Sequence, residues 1–296
     1  MVAVLVFFAL RPPEPPDSTV VTQTPTPTPT ETATPTVTAT PTPTATPTST
    51  DQPPQAAGPA RERPLDVLSA TAAVRANPGA CPGGGAAVQT TTNGGGTWNG
   101  VDTPTEQVLR VTWAAVDNLW FVGAGGEGCA PGFFTSTDEG GSWLGPEDAA
   151  AAWHLLPEPT AGQVHAPNGN VDSPCGGSIT VELESVTAEQ AFVLCATGEV
   201  FETRDAGAGW SSLGTAVDAV ALGVADGSPL VAIPTNSETC EGLGIGAVAS
   251  EGIGCVDGAP TDAVALSFGD GGVGFLIASA STFTTADGGR SWQQAS

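Results

Sequence analysis

The residues able to do chemistry in this chain are few. His154 and His165 are its two histidines, and Glu158 and Asp172 lie near them in sequence, a grouping open to acid–base work or a metal. Their spacing matches no metal motif, and the stretch reads as a pair of surface-loop histidines. The chain has seven Arg, no Lys and no Tyr. That removes Schiff-base lysines, P-loop lysines and tyrosine nucleophiles. No G-x-S-x-G elbow presents a serine. Asp226-Gly and Asp270-Gly-Gly read as hairpin turns rather than calcium loops. The six cysteines are Cys81, Cys129, Cys175, Cys195, Cys240 and Cys255. They form no CxxC pair and no Cys/His cluster, so zinc is not indicated, and an even count suits disulfides in an oxidising compartment. No cofactor is implied.

The 296 residues that must position these groups suffice for one large or two small domains. With 31 Asp+Glu, the formal net charge is −24, which repels nucleic acid and anionic membrane surfaces. Thirty-nine Gly and 27 Pro disfavour long helices. Residues 1–10, MVAVLVFFAL, are continuously apolar but span only ~15 Å as a helix, about half a bilayer core. They read as the remnant of a membrane anchor or signal segment that starts upstream, or as a frayed apolar terminus. In residues 11–62, every even position from Thr24 to Thr50 is Thr, with Pro at seven of the thirteen positions between. Such a tract cannot bury a core; it reads as an extended stalk, O-glycosylated or simply disordered. Residues 63–296 carry all six cysteines and form the globular region.

Four segments of this region share a recurring pattern, [ST]-x-[DN]-x-G-x-[STG]-W, on Asn93-Gly95-Trp98, Asp138-Gly140-Trp143, Asp205-Gly207-Trp210 and Asp287-Gly289-Trp292. Its chemistry is that of a tight β-hairpin. The Asp or Asn accepts backbone N–H groups, and the Gly supplies positive φ. The Trp, first on the returning strand, buries its ring against the hairpin's apolar side. Alternating apolar runs suited to strands precede three of the four turns: Val108–Val116 with Leu119–Gly123, Ile179–Val186 with Ala191–Cys195, and Ala263–Phe268 with Val273–Ala278.

This pattern resembles the Asp-box (BNR) repeat, which lies between the third and fourth strands of β-propeller blades. The unit LRVTWAAVDNLWFVGAGG followed by FFTSTDEGGSW resembles blades of propellers related to photosystem II assembly factors, sialidases and sortilin-type receptors. The resemblance implies an all-β propeller. Trp98 to Trp143 is 45 residues, one blade; Trp143 to Trp210 is 67, a blade plus an insertion; Trp210 to Trp292 is 82, two blades, one without a box. Five blades follow, at 64–102, 103–157, 176–214, 215–259 and 260–296, or six if 146–175 hides a degenerate blade. On this scheme Cys81 and Cys129 lie before third strands of adjacent blades, Cys175 and Cys195 at neighbouring strand ends of one blade, and Cys240 and Cys255 within the boxless blade. The expected pairing, among fifteen possible, is sequential.

Sialidases carry such boxes but use a Tyr nucleophile and three Arg that clamp the substrate carboxylate. This chain has no Tyr, and Arg204 and Arg290 lie inside boxes. A two-carboxylate glycosidase stays open without any pair marked by context. The leading expectation is a non-enzymatic, exported or membrane-tethered propeller that binds a protein or glycan at its loop face, touching membrane only through its N-terminus; a purely structural surface protein is the third reading. The insertion 144–175, with Trp153, His154 and His165, is the expected binding face, opposite the box hairpins.

Overall fold

The computed structural model describes residues 63–157, 162–250 and 252–296. The anchor and stalk expectations for 1–10 and 11–62, and Glu158 beside the histidines, lie outside the described residues. Apart from a 3-10 turn at Asp270–Gly272, every regular element among the described residues is a strand. The sequence leaves little else: short apolar runs are cut at close intervals by Gly, Asp and Asn turns.

Twenty-three strands form six antiparallel sheets among the described residues, arranged as the blades of a propeller. Blade 1 is β1 Leu65–Val67, β2 Ala73–Asn77, β3 Ala87–Thr91 and β4 Asn99–Val101. Blade 2 is β5 Gln107–Ala115, β6 Asn118–Gly125, β7 Ala130–Ser136 and β8 Leu144–Glu147. Blade 3 has three strands, β9 His154–Leu155, β10 Gln163–Ala166 and β11 Gly169–Asp172. Blade 4 is β12 Thr180–Ser185, β13 Ala191–Cys195, β14 Glu199–Thr203 and β15 Ser211–Thr215. Blade 5 is β16 Ala221–Ala225, β17 Ser228–Ser237, β18 Cys240–Ala247 and β19 Gly252–Asp257; blade 6 is β20 Val264–Phe268, β21 Gly274–Ala278, β22 Ser281–Thr285 and β23 Gln293–Gln294. Each innermost strand touches the next around the ring, and β20 touches β1 to close it. The count is six rather than five because 146–175 does hide a degenerate blade. It is not a loop thrown out from the disc.

Apolar clusters fill the seams between blades. Leu65, Val67 and Ala73 of blade 1 pack on Ala265, Phe275 and Ile277 of blade 6, for example, and Val181, Phe192 and Val200 of blade 4 on Leu222 and Val231 of blade 5. Two inner-strand carboxylates reach across seams as well. Asp66 of β1 accepts the backbone N–H of Trp113 in β5 at 2.8 Å, and Glu182 of β12 accepts that of Leu222 in β16. Burial pushes Asp66 up to about 6, against the lowering effects of the Trp113 N–H and the Arg110 charge.

The three disulfides pair sequentially, Cys81–Cys129, Cys175–Cys195 and Cys240–Cys255. The first joins blades 1 and 2, the second ties the approach to blade 4 to the end of β13, and the third lies within blade 5.

Candidate functional site

The four repeated turns share one geometry. In each, the leading Ser or Thr hydroxyl donates to the side-chain Oδ1 of the Asp or Asn at 2.7–2.9 Å and accepts the N–H of the Gly four residues on at 2.8–3.1 Å. Hydrogen bonds from Ser142 and Ser136 pull Asp138 down to about 2, and those from Ser291 and Thr285 pull Asp287 down to about 2. Asp205 is lowered too, chiefly by the Gly209 N–H, without the side-chain bond that Ser142 and Ser291 supply elsewhere. The turn glycines take φ between +84° and +93° at Gly95, Gly207, Gly289 and Gly140. A Cβ on Gly140 would strike Val101 of blade 1 at 2.9 Å, and one on Gly207 would strike Val171 of blade 3 at 2.7 Å. Each of these turns therefore closes its own hairpin and packs on the preceding blade. These residues are structural.

The turn tryptophans are half-buried rather than largely buried, and each stands just before the fourth strand rather than on it. Trp143 packs edge-on to Phe121 at 4.6 Å and donates Nε1–H to the Asp102 carbonyl of blade 1. Trp98 donates to Thr282 of blade 6, and Trp210 meets Trp153 of blade 3. Trp292 packs on Phe268 within blade 6.

Blade 3 departs from this scheme. Ser173 Oγ lies 2.7 Å from Thr180 Oγ1, so β11 ends beside the start of β12. Val171 of β11 meets Gly207 as Val101 of the outer strand β4 meets Gly140. Strands β9 to β11 are therefore the counterparts of a second, third and fourth strand. The place of the first is taken by the irregular stretch 148–153, turned back by Ala152 N–H donating to the Ala149 carbonyl.

This arrangement buries two of the three residues expected on the binding face and leaves the third half-buried. Trp153 is buried at 3% exposure, its Nε1–H shared between the carbonyls of Thr187 and Ala188. His154 is buried at 2% and stacks on half-buried His165 with ring centroids 4.4 Å apart. Its Nδ1 lies 2.8 Å from the Ala152 carbonyl, which fixes the proton on Nδ1. Burial lowers its pKa to about 4, with smaller contributions from His165 and Arg110, so the ring is neutral at pH 7. The histidines are not on a surface loop. They face each other on β9 and β10, while the blade's apolar core is Trp153, Leu155, Val164 and Ala166, and Asp172 is drawn to Gln163 at 3.3 Å.

What the missing strand leaves is a cleft of about 470 Å³ between blade 2, the 148–153 stretch and the turn after β12. Its blade 2 wall holds Arg110, Trp120, Phe133 and Glu147, and Asp148 and Trp153 line it from the irregular stretch. Trp120 and Phe133 are half-buried, 5.2 Å apart between centroids and tilted by 38°. Ala149 and Ala152 of the irregular stretch pack in the same cluster, with the Cys81–Cys129 disulfide beside them. The sequence puts these residues on strands and marks no site there. The available signal is the Trp120–Phe121 doublet, which puts aromatics on both faces of one strand. Phe121 faces blade 1's cluster, and Trp120 faces the shortened blade.

No protein-family model matches the chain, and no curated protein sequence does. Among solved structures it is similar to YCF48 bound to D1 peptide, at 14% identity over 80% of this chain and 69% of that one, TM-score 0.31. It is also similar to the GH74 enzyme of Niastella koreensis, at 15% identity over 78% of this chain and 36% of that one, TM-score 0.36. A third is PorZ, an essential surface component of the type-IX secretion system of Porphyromonas gingivalis, at 12% identity over 79% of this chain and 33% of that one, TM-score 0.40. The chain thus spans about a third of the latter two. All three are propellers, and with every score below 0.5 the fold assignment rests on the six sheets themselves.

Proposed function

We propose that this chain is a non-enzymatic binding module, an Asp-box propeller carried at the cell surface, whose partner is a protein segment docked in the cleft between blades 2 and 3. The observation that carries this reading is the half-exposed Trp120–Phe133 pair beside Arg110, with the small side chains of Ala149 and Ala152 packed near it. Aromatic and Arg side chains on a partly open apolar wall are what protein recognition uses as anchors. A 38° tilt makes the pair a slot for an apolar side chain rather than a flat platform for a sugar ring. Arg110, Glu147 and Asp148 in the lining can pair the backbone and charged groups of the entering segment.

The arginine layout supports the non-enzymatic reading. Arg63 and Arg75 line a cleft at the blade 6–blade 1 seam, Arg110 is in the blade 2–blade 3 cleft, and Arg204 and Arg290 are on box turns. Three of them do not meet around one substrate carboxylate. The three disulfides support an oxidising, exported setting.

A peptide-display selection against the full chain tests the assignment. The expected binders lose affinity for the Trp120→Ala variant, weaken with Arg110→Gln and are indifferent to Trp292→Phe. Glycan-array hits that need Trp120 would change the partner class to carbohydrate, and binders indifferent to both Trp120 and Arg110 would remove the cleft. Turnover of an aryl glycoside, abolished by one Asp or Glu substitution, would overturn the non-enzymatic reading.

A further inference from the structure

In a chain with 31 carboxylates and seven arginines, cations are scarce. The seam where blade 6 closes on blade 1 nevertheless holds two of them in one cleft of about 330 Å³, lined by Arg63 and Arg75 with Asn77, Gln89 and Ser279. No Asp or Glu lines this cleft among the described residues. At its margin, Asp262 is engaged by Ser279 Oγ at 2.7 Å.

Arg75 is half-buried in the middle of β2. Its Nε donates to Gln89 Oε1 at 2.9 Å, and its guanidinium carbon lies 4.2 Å from the Trp98 ring centroid. Both partners are uncharged. They fix the guanidinium plane and leave its two terminal nitrogens without an acceptor among the described residues. Burial and the neighbouring Arg63 both lower the Arg75 pKa, as expected for two cations held together without a counter-ion.

We propose that this seam binds a compact oxyanion, a carboxylate or a tetrahedral phosphate- or sulfate-type group, gripped by the free edge of Arg75 and by Arg63. The planar guanidinium fork suits such oxygens, and an anion would remove the repulsion between the two cations. The site lies at a different seam from the blade 2–blade 3 cleft and does not depend on it.

Trp98 reports on this site, because Arg75 stacks on its ring and its Nε1–H donates to Thr282 Oγ1 at 3.1 Å. The experiment titrates the full, nitrogen-15-labelled chain with sodium acetate, phosphate or sulfate, with chloride holding ionic strength constant. The Trp98 indole cross-peak is identified by its loss in Trp98→Phe. At least one anion is expected to shift it saturably. A response to acetate alone identifies a carboxylate site, and a response to phosphate or sulfate alone a tetrahedral one. Arg63→Gln and Arg75→Gln should each weaken the affinity by ~10-fold or more, the effect of one charge-assisted hydrogen bond. Arg290→Gln should leave it unchanged. If Arg75→Gln does not fold, Arg63→Gln, outside any strand, carries the test. No saturable shift with any of the three anions, or an affinity unchanged in Arg63→Gln, would overturn the site.

Discussion

Blades 2 and 3 are neighbours that solve the same packing problem with different means. Blade 2 has strands of nine, eight, seven and four residues, a boxed turn at Asp138, and aromatics on both faces. Blade 3 has strands of two, four and four residues, no box, and a stacked histidine pair across β9 and β10. The difference shows what the box contributes. It lets a hairpin close tightly while its Gly leans on the blade before. Blade 3, without one, is held from behind by blade 4, through Trp210 on Trp153 and Gly207 on Val171. Its first strand is gone, and blade 2's outward aromatics are left half-open.

The sharpest way to break this comparison is to remove what anchors blade 3. Trp153 is buried and doubly hydrogen-bonded, so Trp153→Ala is expected to cost ~3–5 kcal/mol in denaturant unfolding. Trp143→Ala in blade 2 should cost clearly less, because that ring is half-exposed. Equal losses would mean that the two blades are anchored alike. Next comes the disulfide beside blade 3. Replacing Cys175 and Cys195 together by Ala opens a 20-residue span and should cost about 3 kcal/mol, with hydrogen exchange rising first in β10 and β11. Exchange rising evenly over all six blades would contradict a locally held blade 3.

Acid sharpens the comparison further. His154 titrates near 4 in the folded chain against 6.5 ordinarily, so the folded form resists protonation. Its contribution is present above about pH 6.5 and is lost as pH falls through 4. Asp66, raised to about 6, has the opposite sign: its contribution is present below 3.8 and lost as pH rises through 6. Between pH 6.5 and 4, blade 3 amides should therefore lose protection on acidification, relative to the slower intrinsic exchange in acid, while those around β1 and β5 are steadied. His154→Phe should abolish the first response alone. The smallest effect belongs to the exposed box acids. Asp138→Asn should lower the melting temperature slightly at pH 7, and the gap should close as pH falls from about 4 toward 2, where wild-type Asp138 itself becomes protonated.

Legibility in the sequence follows the same divide. The boxed blades can be placed from their turns, because Asp, Gly and Trp at fixed offsets have a local physical meaning. The disulfides follow once those turns set the strand order. Blade 3 is legible only as a surplus in the spacing from Trp143 to Trp210, since strands of two to four residues carry no usable alternation. Trp153 and His154 look like loop residues for that reason, yet they are core. The cleft is marked only by the Trp120–Phe121 doublet and by residues 147–153 of the insertion, and neither shows that a face is left open. Trp120 looks like any buried strand aromatic until the absence of a facing strand is known, and that absence is a property of the ring, not of the segment.

The central claim, that a shortened third blade exposes the partner site on blade 2, is tested most directly by hydrogen exchange of the full chain with and without a selected peptide binder. The account predicts protection confined to β7, the 148–152 stretch and the turn at 186–190, with no change at the blade 6–blade 1 seam. Protection on other blades, with those cleft segments unchanged, would contradict it.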